Sequence, residues 1–132
     1  MENKIIKELI KQAKKAQEFS YSPYSNYKVG ATLLTKSGKV FTGTNIENAS
    51  YPAGICAERV ALSKAVSEGE HEFEMIVLTS QDEHNLPYPC GICRQSLSEF
   101  SPNMIVVVAK DENSYEKLSL SELLPHSFTL KK

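Results

Sequence analysis

The sequence has 132 residues, 15 basic and 16 acidic side chains, a formal net charge of −1 and 41% hydrophobic content. A chain of this length can bury a core without disulfide support. Its charge balance argues against the basic footprint of a nucleic-acid binder and suits a small or neutral partner.

Residues 1–19, MENKIIKELIKQAKKAQEF, interrupt every apolar pair with charge. This argues against a signal-peptide core or a membrane span and leads to the expectation of a cytoplasmic chain. Ile5, Ile6, Leu9, Ile10, Ala13 and Ala16 recur at helical intervals, with Lys4, Lys7, Lys11, Lys14 and Lys15 largely opposite. The pattern predicts an amphipathic helix whose lysine stripe is a solvated face rather than a phosphate-binding one. "YSPYSNY" breaks that helix with Pro23 and serines, and "YKVGATLLT", "KSGK" and "VFTGT" read as a β-hairpin. "NIENASYPAGI" has no clear period and is expected to be a loop of the kind that gathers ligand contacts.

"CAERVALSKAVSEG" has helical spacing and ends at Gly69, a C′ residue. "FEMIVLTS" is short, apolar and rich in β-formers, as a buried strand should be. After the polar loop "QDEHNLPYP", "CGICRQSLSEF" reads as a helix starting near Cys90, because Pro89 suits a helix entrance. "MIVVVAK" is a second buried strand, "DENS" a turn, "YEKLSL" an edge strand, and "SELLP" a helical turn stopped by Pro125. The order predicts a single domain over residues 1–132, an α/β fold of three layers, α/β/α, with a mixed five-stranded sheet. An antiparallel hairpin lies beside parallel strands joined by right-handed crossovers.

In a reducing compartment, three cysteines with a Cys-x-x-Cys pair read as metal-binding or redox rather than as a disulfide framework. Cys56 opens one predicted helix, and Cys90 and Cys93 open the next, where unpaired N–H groups and the helix dipole favour thiolates. Three thiolates can hold a zinc ion with its fourth position open. Spacing also allows inert buried thiols, a dithiol redox pair, or a closed structural site completed by His71, His84 or His126, of which His84 is the best placed. Glu58 lies two residues after Cys56, about 200° away around a regular helix, so it cannot share an ion with Cys56 from one helix face. It suits a proton shuttle beside the metal, or simply a first-turn carboxylate facing the dipole. Three thiolates around Zn²⁺ leave a charge of −1, which weakens the Lewis acid. Arg59, three residues from Cys56, and Arg94, next to Cys93, can donate to the sulfurs and restore electrophilicity.

"CAE" followed by "PCGICRQ" resembles the zinc-deaminase signature in its three-cysteine form. The span "SPYSNYKVGATLLTKSGKVFTGTNIENASYPAGICAERVALSKAVSEG" and the later "SELLPHSF" are similar to the small cytidine deaminases of pyrimidine salvage, from about Ser22 to Phe128. The resemblance implies one Zn²⁺ per subunit on Cys56, Cys90 and Cys93, with Glu58 as the proton shuttle in hydrolytic deamination of cytidine and 2′-deoxycytidine. It also implies that Asn45 and Glu47 hold the ribose hydroxyls, that Tyr27 packs by the sugar and that the Ala57 backbone reads the pyrimidine edge. A homotetramer is implied, in which Ala49 and Tyr51 are offered to a neighbour and Phe128 stacks on the base from across an interface. Tyr27, Thr44, Tyr88 and Ile92 stand where the family commonly has Phe, Cys, Ser and Ala, which bears on substrate preference rather than on the chemistry. The implied partner is a pyrimidine nucleoside, not a nucleic acid or a membrane.

Overall fold

The computed structural model describes residues 2–130. In chain order the elements are α1 (Glu2–Gln17), β1 (Val29–Thr35), β2 (Val40–Thr44), α2 (Ala57–Ser67) and β3 (Phe73–Ser80), then α3 (Gly91–Ser98), β4 (Ile105–Asp111), β5 (Ser114–Ser119) and α4 (Leu120–Leu123). The strands form one sheet in the order β2-β1-β3-β4-β5. β1 is antiparallel to β2 and to β3, β3 and β4 are parallel, and β4 and β5 are antiparallel. The expected three-layer α/β/α domain with a mixed five-stranded sheet is therefore the observed fold.

Two connections decide the layering. β2 and β3 point the same way with β1 between them, so the passage through α2 is a crossover, as is the passage from β3 through α3 to β4. Both run in the same direction across the sheet, and with the usual right-handedness both helices fall on one face. Ala57, Ala61, Leu62 and Ala65 of α2 and Leu97 of α3 accordingly share a core with Ala31, Leu33, Ile76, Leu78, Val106 and Val108. On the opposite face α1 buries Ile6, Leu9, Ile10 and Ala13 against Met75, Val77, Val107 and Ala109. The central strands are covered on both sides, which is why β3 and β4 read as unbroken apolar runs rather than as alternation.

Ile5, expected on the apolar face of α1, is 45% exposed, because the helix touches the sheet through a narrower stripe than the list of apolar residues suggests. Lys14 turns inward to donate to Ser80 O at 2.9 Å. The loop "NIENASYPAGI" contains a single 3-10 turn, Tyr51–Ala53, and an Ile46–Ile55 bridge that sequence periodicity did not signal. Gly69 takes φ +90° just past α2, as a C′ glycine should.

Gly43 on β2 has a different role. A Cβ there would lie 2.4 Å from Ala57 O and 2.6 Å from Ala61 N, so its hydrogen lets the first turns of α2 lie directly on the strand. That contact sets the position of Cys56 and Glu58. No helix among the described residues is long and apolar enough to cross a membrane.

Candidate active site

β2 and β3 both end at the same edge of the sheet, and the loops leaving them return as the N-termini of α2 and α3. Crevices at the carboxyl ends of such strands are where open α/β sheets bind ligands. Cys56 is the N-cap of α2 and Cys90 the N-cap of α3, both in extended backbone, and neither uses its sulfur to cap the helix. Both sulfurs are therefore free to face a third, that of Cys93, which is buried one turn into α3.

The three Sγ atoms lie within 4.8 Å of one another, and Cys56 Sγ is 3.9 Å from Cys90 Sγ. A tetrahedral zinc with Zn–S bonds of about 2.3 Å requires sulfur–sulfur edges of about 3.8 Å. The donor set and its spacing thus fit a zinc ion. Among the described residues, neither a histidine nor a carboxylate joins this cluster. The closed site completed by His84 gains no support, and three protein ligands leave the fourth position for water or substrate.

Electrostatics favour a thiolate at Cys56. The Cys93 thiol donates to Cys56 and, with Arg59 beside it, brings the Cys56 pKa down to about 5, while Cys93, as the donor, is held well above the usual thiol range. Arg59 Nη2 lies 3.8 Å from Cys56 Sγ, and among the described residues its buried Nε has no hydrogen-bond partner. Glu58 is 5% exposed. Burial pushes its pKa up to about 7, and the neighbouring Cys56 thiolate adds to the rise against the opposing pull of its own backbone N–H.

Arg94 differs from expectation. Its Nε donates to Pro89 O at 2.7 Å and its Nη1 to Leu123 O at 2.8 Å. Adjacent residues on a helix point about 100° apart, so the residue after an inward-facing cysteine is directed away from the sulfurs. Arg94 ties the loop before α3 to α4, and no bond from it to a sulfur is found among the described residues.

A cavity of about 200 Å³ opens on this cluster, lined by Tyr27, Val29, Asn45, Cys56, Ala57, Glu58, Pro87, Tyr88 and Cys90. Glu47 instead lines a neighbouring hollow with Tyr24, Ser25, Asn48 and Tyr51. There it accepts from Tyr24 N at 2.9 Å, Ser25 N at 3.2 Å and the Ser25 hydroxyl, which together hold its carboxyl below the usual range. Ala49 is exposed, and Tyr51 and Phe128 are 84% and 67% exposed. None of these three lines the cavity beside the cysteines.

Sequence reasoning overlooked several contributors. Tyr88, noted only as a departure, forms a wall of the cavity and donates its hydroxyl to Glu116 of β5. Val29 and Pro87 complete the lining, and Ser20 and Ser25 hold the two residues of the "NIEN" motif. Their only prior signal was the density of hydroxyls in "SYSPYS", which reads equally well as a helix breaker.

Residues 3–109 match the family described as the cytidine and deoxycytidylate deaminase zinc-binding region. The chain is 45% identical over 122 residues to a cytidine deaminase of Halalkalibacterium halodurans, spanning 92% of each sequence. It is 43% identical over 129 residues to a probable cytidine deaminase of Dictyostelium discoideum, spanning 98% of this chain and 87% of the relative. The crystal structure of cytidine deaminase from Burkholderia pseudomallei superposes with a TM-score of 0.86 at 44% identity, covering 92% of this chain and 97% of that one.

Proposed function

The chain belongs to the cytidine and deoxycytidylate deaminase family, and we propose that it catalyses zinc-dependent hydrolytic deamination of cytidine and 2′-deoxycytidine to the uridines, releasing ammonia. One observation carries this reading: three cysteine sulfurs lie within 4.8 Å of one another, and two of those cysteines, Cys56 and Cys90, line one cavity with a buried carboxylate, Glu58.

Zinc, when bound by Cys56, Cys90 and Cys93, supplies an activated water as the nucleophile. Glu58 accepts the proton of that nucleophile and delivers it to N3 of the pyrimidine, which makes C4 electrophilic. After addition at C4, Glu58 takes the remaining proton from the added hydroxyl and passes it to the departing amine, which leaves as ammonia, so one carboxyl serves as base and then as acid. Burial raises its pKa above the usual carboxylate range, the direction that lets one carboxyl give as well as take a proton near neutral pH. Arg59 offsets the charge of the thiolates, and the Ala57 backbone at the start of α2 offers polar groups to the pyrimidine edge.

Asn45 holds a sugar hydroxyl with its amide, Tyr27 packs beside the sugar, and Glu47 takes a second polar contact at the mouth. The exposure of Ala49, Tyr51 and Phe128 supports a homotetramer in which these residues complete a neighbour's site. The balanced charge supports a free nucleoside as partner rather than a nucleic acid. We place the activity in cytoplasmic pyrimidine salvage, with residues 1–132 acting as one domain.

The test is to follow ammonia release by zinc-assayed protein given cytidine, deoxycytidine or free cytosine. Turnover of both nucleosides is expected. Zinc-loaded protein inert toward both would overturn the proposal.

A further inference from the structure

Asn45 faces the cavity from the end of β2, and its amide is held by three partners. Its Oδ1 accepts from Ser20 Oγ at 2.5 Å and from Val29 N at 3.0 Å, and its Nδ2 donates to Tyr27 O at 2.7 Å. The backbone partners determine which way the amide faces, because a Val29 N–H requires the oxygen and a Tyr27 carbonyl requires the nitrogen. Two lone pairs and one of two N–H bonds are thereby committed. One N–H is without a partner among the described residues, so Asn45, which lines the cavity, has a donor to offer there.

Ser20 is the one side chain among these partners. Its hydroxyl also lies 3.2 Å from Ser22 Oγ and 3.3 Å from Asn45 O, but it has a single hydrogen, and the shortest contact is to Asn45 Oδ1. The backbone keeps Ser20 there. Tyr21 N donates to Asn45 O at 3.1 Å and Glu47 N to Tyr21 O at 2.8 Å, a one-residue parallel bridge that locks the loop after α1 onto the loop after β2. Val29 and Tyr27 approach the amide from the entrance to β1, whereas Ser20 comes from the segment after α1, so the hydroxyl adds a third fixed point, from a separate segment, to an amide that the two backbone bonds orient.

We infer that Ser20 is a positioning residue for substrate, setting the Asn45 amide so that its remaining N–H meets an acceptor oxygen of the nucleoside sugar. This rests on the reading of Asn45 as a sugar contact. Ser20 touches neither substrate nor the reacting atoms, so its removal acts on binding and leaves the chemical step alone.

The experiment is steady-state deamination by the zinc-loaded full chain, wild type, Ser20→Ala and Ser20→Thr, with cytidine and with 2′,3′-dideoxycytidine, which lacks the ring hydroxyls. Wild type should favour cytidine in kcat/KM. Ser20→Ala should raise the KM for cytidine about 3- to 10-fold, the range expected for one oriented hydrogen bond, at unchanged kcat. Ser20→Thr, which keeps the hydroxyl, should restore that KM. A Ser20→Ala enzyme with wild-type KM overturns the inference while leaving the sugar reading standing. A kcat that falls together with binding, or a KM that threonine does not restore, reduces Ser20 to a structural residue and also overturns it. A wild-type enzyme indifferent to the two nucleosides overturns the sugar reading itself, and the inference with it.

Discussion

Arg59 Nη2 approaches Cys56 Sγ to 3.8 Å from one turn further along the same helix. The contact joins a cation to the sulfur most inclined to ionise, and the helix start supplies further positive potential. Keeping a guanidinium partly buried beside thiolates, with Nε unpartnered among the described residues, is costly unless negative charge is there to receive it. Three thiolates around a divalent ion, with a net charge of −1, are such a receiver.

Replacing Arg59 by Gln should therefore lower kcat by about 10- to 100-fold, the scale typical of residues that tune a metal site from outside its ligands. Zinc content, measured by elemental analysis, should stay near that of the wild type, since all three sulfurs remain. Wild-type kcat in a zinc-replete variant would remove Arg59 from the mechanism.

Glu58→Gln keeps the shape of the side chain and removes the proton transfer. We expect zinc to be retained and turnover to fall by ~10² to 10⁴-fold, the usual contribution of a positioned general acid/base. Ammonia release at saturating cytidine reads this directly, and a variant at wild-type rate would refute the role assigned to Glu58.

The same carboxyl should leave a mark on the stability of chelator-stripped protein. Its pKa rises on folding from 4.5 to about 7, so its contribution is fully present below about pH 4.5 and is lost as the pH climbs through 7. At about 1.4 kcal/mol per pH unit the loss is roughly 3 kcal/mol. Cys56, shifted downward, acts in the opposite direction from about pH 5 to 9 but is present in both proteins compared. The Tm of Glu58→Gln minus that of the wild type should therefore increase between pH 4.5 and 7 and then level off. A pH-independent difference would contradict the assigned shift.

Gly43→Ala tests the seat of α2. The new Cβ would fall 2.4 Å from a backbone oxygen and 2.6 Å from a backbone nitrogen, neither of which can turn aside as a side chain would. Moving the helix should cost about 1–3 kcal/mol, and because Cys56 and Glu58 travel with it, activity should fall as well. Denaturant unfolding and ammonia release from cytidine measure the two effects; full stability and full activity together would show that the helix start does not depend on this contact.

Much of the fold was legible locally. Pro89 before a helical pattern placed the start of α3, and Gly69 placed the end of α2, because helix termini are set by neighbouring residues. The two apolar runs of β3 and β4 announced a sheet covered on both faces. Arg94 misled because adjacency to Cys93 in the chain is not adjacency around a helix, and its donors went to Pro89 and Leu123. The hold of Ser20 on Asn45 and of Ser25 on Glu47 was invisible, since the partners lie 25 and 22 residues apart and no periodicity links loop to loop.

The sequence by itself determined which reactive groups are at hand: three thiols at two expected helix starts, a carboxylate two residues past Cys56, and the motifs that carry the family resemblance. These depend on residue type and short spacing, which the chain states outright. Only the tertiary structure decided which sulfurs meet, that Glu58 is buried beside them, and that Arg59 rather than Arg94 faces them. Those outcomes follow from two crossovers running the same way over one sheet, and from a glycine that lets α2 lie against β2, relations that exist only once distant segments are packed together.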